Sequence, residues 1–208
     1  MPARRRASSL RTWAATPGGR DVVFVPVGLA YDRVLEDRIL TDAAAAGNRR
    51  FRGKPLAIAA FVWRILWRKL RGTFKGFGTA AAGFGPPVSL ARFMAERPGR
   101  PVEELGAHLM AEIERVVPVL PVPLIAAALA ERPADRAALA EAVAALTARL
   151  ISVGAVMKLP PQGLEVTLDE GLAPLIARGA VGADLQPMPG SAAVLAFYAA
   201  PVWQRLGL

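Results

Sequence analysis

Apolar positions along the chain change period twice. Asp21 to Tyr31 (DVVFVPVGLAY) is a continuous, β-branched apolar run that predicts a buried strand, broken at Pro26, where a proline places it at an edge or at a bend. Asp32 to Thr41 reads as a short helix or turn of alternating charge, and residues 43–48 as an Ala/Gly/Asn loop. Pro55 to Arg71 (PLAIAAFVWRILWRKLR) predicts the clearest helix, with proline in its first turn and Gly72 after its end. The stretch from Gly76 to Leu90 (GFGTAAAGFGPPVSL) predicts a strand and tight turns, its glycines permitting close backbone approach. Helical spacing then dominates, predicting helices over Glu103–Val117, Leu124–Ala130, Asp135–Leu150 and Leu168–Arg178. A last helix, or a helix pair around Pro201, covers Ser191–Leu206. In the third of these Asp135 is the expected N-cap, and Leu139, Val143, Leu146 and Leu150 share one face.

These elements divide the chain into a basic tail (1–20), an α/β part (21–97) and a mainly α-helical region (98–208), with the boundary at the Pro98, Gly99, Pro101 cluster. Helix, turn, helix and a valine-rich strand across 131–182 leave a winged-helix-like arrangement open for the last part. With 208 residues, 53% of them apolar, the chain can bury a sizeable core and lies far from disordered composition. Signal-peptide character is absent from Ala7–Arg20, which lacks an apolar core, so export is not expected. The uncharged stretches Val116–Ala130 and Leu185–Gln204 are broken by prolines and do not read as membrane spans.

Charge sharpens this picture. The formal charge is +9, from 26 Lys and Arg against 17 Asp and Glu. Between Ala43 and Ala95 there is no acidic residue, while Arg49, Arg50, Arg52, Lys54, Arg64, Arg68, Lys69, Arg71, Lys75 and Arg92 supply ten positive charges. An anionic partner is therefore sought in that segment. On the helix wheel Arg64, Arg68 and Arg71 lie within about 60° of one another, and Phe61, Ile65, Leu66 and Trp67 are read as lying away from them. Such a helix can be a solvated face over a core, a membrane-surface element or a nucleic-acid contact. Trp63 and Trp67, four residues apart, suit a headgroup boundary beside the polybasic flank and point to an anionic membrane surface. Nucleic acid is disfavoured as partner, because residues 131–182 carry five basic and six acidic side chains where a DNA-reading helix should be the most basic element.

Candidate chemistry is sparse. No cysteine is present, which removes disulfides, thiolate nucleophiles and Cys-based zinc sites; no metal site or cofactor is expected. The one histidine, His108, has Glu104 and Glu112 four residues to either side, but no nucleophile or substrate cradle accompanies it, so it reads as an ordinary helix residue.

Residues 23–37 (VFVPVGLAYDRVLED) resemble the last of four motif blocks of the glycerol-3-phosphate acyltransferases, a Pro-Val strand followed by Tyr-Asp/Glu-x-Val-x-Glu. The same order continues. Phe61–Arg71 resembles the family's Trp/Arg-rich segment, Gly83–Leu90 its Asn-Phe-Gly-Glu-Pro-Val-Ser-Leu strand, Val117–Ile125 its Thr-Pro-Val-Ser-Leu-Val segment, and Leu195–Ala199 its Leu-x-Tyr-Tyr-Ala element. Pro87 stands where the family has Glu, and Ala200-Pro201 replaces its asparagine region. The resemblance implies an incomplete acyltransferase sheet with covering helices, and substrate-side positions at Pro26, Val27 and Tyr31. It also implies acyl transfer from acyl-CoA or acyl carrier protein to a glycerol phosphate in phospholipid biosynthesis, at the cytoplasmic side of a membrane as a peripheral protein. In the family a His-x4-Asp histidine deprotonates the acceptor hydroxyl. That block should precede residue 21 and is absent; His108 cannot replace it, since Ile113 stands five residues on. The expectation is a C-terminal portion, inactive alone, with an N-terminal half elsewhere and no catalytic residue of its own. The alternative is a non-catalytic membrane-surface or regulatory module with a helical domain.

Overall fold

Pro26 divides the first apolar run between two sheets. In the computed structural model, which describes residues 20–32, 63, 66–67, 69–71, 78–97 and 101–208, β1 (Val23–Phe24) pairs antiparallel with β4 (Val88–Ser89), whereas β2 (Val27–Tyr31) pairs antiparallel with β3 (Ala80–Phe84). The register sets Val27 opposite Phe84, Gly28 opposite Gly83, Leu29 opposite Ala82, Ala30 opposite Ala81 and Tyr31 opposite Ala80. Proline has no N–H to give to a ladder. Its carbonyl still accepts from the Gly85 N–H at 2.8 Å, which joins the two ladders at the bend. The predicted break at Pro26 is therefore the point where the strand changes sheet.

Six α-helices follow among the described residues. The first, α1 (Leu90–Glu96), lies where the glycine-rich pattern predicts only strand and turns. Its local signals are present nonetheless: the Ser89 hydroxyl accepts from the Arg92 N–H, Arg92 pairs with Glu96 at 2.8 Å, and Leu90 and Phe93 bury one face. Asp21 adds a carboxylate oxygen to the Ala91 N–H at 3.1 Å. The other five are α2 (Pro101–Val116), α3 (Pro121–Ala128), α4 (Arg136–Ser152), α5 (Leu164–Ala177) and α6 (Ala192–Leu206), with a 3₁₀ turn at Leu129–Glu131 extending α3.

The main core is built round α3. All eight of its residues are buried, so this helix is apolar on every side and surrounded by α4, α5 and α6. Leu139, Val143, Leu146 and Leu150 of α4 face it as predicted, and the Asp135 carboxylate caps α4 by accepting from the Ala138 N–H at 2.8 Å. α5 starts earlier than the periodicity predicts and contains Pro174, and α6 runs through the exposed Pro201 as one helix rather than a pair. Strand pairing in the helical region is limited to single bridges, Val119 to Met157 and Val181 to Pro187, in place of the wing that a winged helix would carry. The structure is thus mainly helical with a partial sheet. The basic tail, the 32–41 turn beyond Asp32, the 43–48 loop and residues 98–100 at the predicted boundary lie outside the described residues.

Candidate functional site

Side chains alternate across a strand, so the β2–β3 register sorts ten residues onto two faces. One face carries Val27, Leu29, Tyr31, Ala80, Ala82 and Phe84, and all six are exposed; Leu29 is 57% and Phe84 71% accessible. The opposite face carries the Gly28–Gly83 and Ala30–Ala81 pairs and is covered by the C-terminal end of α2. A Cβ on Gly83 would collide with the Val116 carbonyl, and one on Gly28 would stand 2.7 Å from the Val117 Cα. Helix and sheet approach backbone to backbone because two glycines sit directly across the ladder from each other.

Of the predicted substrate-side residues, the structure brings Val27 and Tyr31 together on the open face and separates Pro26 from them. Pro26 is buried at the bend, where its ring meets Gly85, and its carbonyl is already taken. The open face offers apolar contact and one phenol, not a cradle for an anion.

Immediately after Tyr31, Asp32 turns inward and is 5% exposed. The N-cap position of α3 is Leu120, whose side chain cannot cap a helix. Asp32 supplies the missing acceptor: its Oδ1 takes the Val122 N–H at 3.2 Å, and its own N–H donates to the Thr79 carbonyl at 2.9 Å. Burial pushes the Asp32 carboxyl up from 3.8 to about 6, opposed by hydrogen bonds from Val122 and Thr79 and reinforced by the charge of Glu170. The segment between α2 and α3 is held from other sides too. Arg205 of α6 donates to the Val117 carbonyl at 2.8 Å, and Val119 exchanges backbone hydrogen bonds with Val156 and Lys158. The Val-Pro-rich segment singled out in the sequence is thus the junction of sheet and bundle. Asp32 is the residue that sequence reasoning missed there; a proline-led helix start with no Ser, Thr, Asp or Asn before it was the available signal.

His108 is half-buried on α2 and its ring stacks on Phe93 of α1 at 5.5 Å. Glu112 turns away to Arg115 at 2.9 Å, and its second oxygen is buried without a partner. Among the described residues no group of His, Asp and Glu side chains could hold a metal ion.

In the basic segment Trp63, Leu66, Trp67, Lys69 and Leu70 are helical, and Arg71 closes the turn on the Trp67 carbonyl. The Trp63 and Trp67 rings stack at 6.3 Å and are 66% and 49% exposed. The Arg71 guanidinium lies 4.7 Å over the Trp67 ring, which corrects the reading that sets Trp67 apart from the arginines: positions four apart share a face. Arg64 and Arg68 lie outside the described residues. No helix among the described residues is long and apolar enough to cross a membrane.

Residues 63–198 match the family described as the glycerol-3-phosphate acyltransferase C-terminal region. A Pseudomonas fluorescens (strain Pf0-1) protein named glycerol-3-phosphate acyltransferase is 36% identical over 87 residues, covering 41% of this chain and 9% of that protein. The matched segment is thus a small part of the relative's length.

Proposed function

Because the chain belongs to the family of glycerol-3-phosphate acyltransferase C-terminal regions, we propose that it is the C-terminal part of an enzyme that moves an acyl group from an acyl thioester, on coenzyme A or acyl carrier protein, to a glycerol phosphate in phospholipid synthesis. The observation that carries this reading is the open β2–β3 face. A two-stranded ladder is marginal by itself, and six apolar side chains on its uncovered face call for a further layer. The acyltransferase half that bears the His-x4-Asp block is the layer this reading assigns there.

In acyl transfer the acceptor hydroxyl loses its proton to a base, its oxygen forms a bond to the thioester carbonyl carbon, and the thiolate leaves. None of the described residues is placed to be that base. Asp32 is held beneath the α3 N-terminus and His108 against Phe93. On this reading the described residues position and cover, and the base is supplied by the half that bears the His-x4-Asp block. The exposed Trp63, Trp67 and Arg71, with the polybasic flank, favour peripheral attachment to an anionic membrane at its cytoplasmic side.

Incubation of the purified chain with glycerol-3-phosphate and an acyl thioester should give no turnover. Addition of the Pseudomonas relative truncated of its matched segment should restore acylation, and Leu29→Lys on the open face should abolish that rescue. Turnover by the chain alone that disappears in His108→Ala would overturn the reading. A chain that binds vesicles but neither turns over nor rescues would support the non-catalytic membrane module instead.

A further inference from the structure

A groove of about 590 Å³ runs between α6 and the C-terminal end of α3 with its 3₁₀ turn. Its floor is made by the buried Leu129, Leu195 and Ala199, and its wall includes Ala196 and the half-buried Trp203. Small side chains on α6 leave the trough unfilled. Arg132 is the only lining residue with a charged side chain, and Gln204 carries the only other polar side chain apart from the Trp203 indole.

Arg132 combines an unusual backbone with an unpaired side chain. Its backbone is left-handed, with φ 52° and ψ 58°, at the end of the 3₁₀ turn, where its N–H donates to the Leu129 carbonyl. Glycine adopts that conformation without steric cost and is the common choice at such a helix end. Its side chain is exposed and, like those of Arg97 and Arg149, pairs with no carboxylate among the described residues. A residue poorly suited to its backbone thus places an unpaired guanidinium at the mouth of an apolar trough.

We propose that this groove binds a long-chain fatty carboxylate, with the alkyl chain along Leu129, Leu195 and Ala199 and the carboxylate on the Arg132 guanidinium. An apolar cleft with one convergent polar group is the usual form of a small-ligand site. A single planar guanidinium matches a carboxylate with two parallel N–H donors. A doubly charged phosphate headgroup would leave one charge uncompensated here, which selects the carboxylate over an alkyl phosphate. None of the residues that line the groove belongs to the sheet, and the assignment does not depend on acyl transfer.

Equilibrium dialysis of radiolabelled laurate, below its micellar concentration, against the full 208-residue chain tests the assignment. The expected result is one laurate per chain, with dodecanol at least about tenfold weaker, dodecyl phosphate no tighter and butyrate unbound. Arg132→Gly removes the cation while relieving the left-handed backbone, so the melting midpoint should not fall; laurate affinity should drop by about tenfold or more with dodecanol unchanged. Ala196→Phe, at an exposed position on the wall, should fill the groove and remove both ligands. Laurate binding that survives both substitutions overturns the proposal, as does tighter binding of dodecyl phosphate. It is equally overturned if sedimentation shows that these substitutions change self-association rather than laurate uptake.

Discussion

Asp32 does for α3 what no sequence neighbour of that helix can do, and its buried carboxyl makes the junction pH-dependent. Its folded-state value of about 6 lies above the 3.8 of an ordinary aspartate. Well below pH 3.8 the carboxyl is protonated whether the chain is folded or not, and the residue carries no charge penalty. As pH rises from about 4 to 6 the unfolded chain releases this proton first, so stability falls; above about pH 6 the penalty is constant. Each pK unit corresponds to about 1.4 kcal/mol. Urea unfolding at pH 4.5 and 6.5 should show wild type losing stability across this window beyond what Asp32→Asn loses, because asparagine can still accept from Val122 but cannot ionise. Asp32→Ala, which orphans a buried N–H, should cost about 1 kcal/mol or more near pH 4.5 and less at pH 6.5, where alanine escapes the ionisation penalty of the wild type. Equal pH slopes in wild type and Asp32→Asn would contradict this account.

At the level of elements, backbone contact decides where α2 sits and side-chain contact decides what the basic helix shows to its surroundings. Gly28 and Gly83 let the end of α2 lie on the ladder, and any side chain at Gly83 would push Val116 away. On the 63–71 stretch the stacked tryptophans, Leu66 and Leu70 are exposed while Arg71 lies along Trp67, which lets one face carry both an apolar and a cationic group. Liposome flotation should accordingly require anionic lipid and weaken with salt. Arg64→Glu/Arg68→Glu should reduce binding by about tenfold or more, at about 1 kcal/mol per basic residue near the surface. Trp63→Ala/Trp67→Ala should reduce it at every salt concentration, since apolar burial is not screened. Equal flotation on neutral and anionic vesicles would count against the attachment.

For the molecule as a whole, the two layers differ in how complete they are. The bundle around α3 encloses its core, with Leu124, Ile125, Leu139, Leu150 and Leu168 fully buried. The sheet layer is closed by α2 on one side only and leaves Val27, Leu29, Tyr31 and Phe84 open on the other. Self-association of the purified chain is expected to run through this face. Leu29→Lys/Phe84→Lys should lower the aggregated fraction in light scattering without changing the far-ultraviolet circular dichroism, because both side chains are already exposed. Aggregation unchanged by the pair would place the sticky surface elsewhere.

Local chemistry was enough to read α4 with its Asp135 cap, the helical character of the second half, the break at Pro26 and the family resemblance, because each depends on residues within a few positions of one another. The helix at Leu90–Glu96 was equally local but was masked by the glycines before it, which drew the strand reading across Ser89. The remaining features are non-local. Asp32 caps a helix that begins 89 residues later, and Val27 and Tyr31 share a face with Phe84 and Ala80 only through the register of pairing. The groove exists because the chain brings α6 back beside the end of α3. Spacing along a sequence determines which side chains share one face of an element, but which faces meet, and which stay open, is decided by the packing of elements distant in sequence.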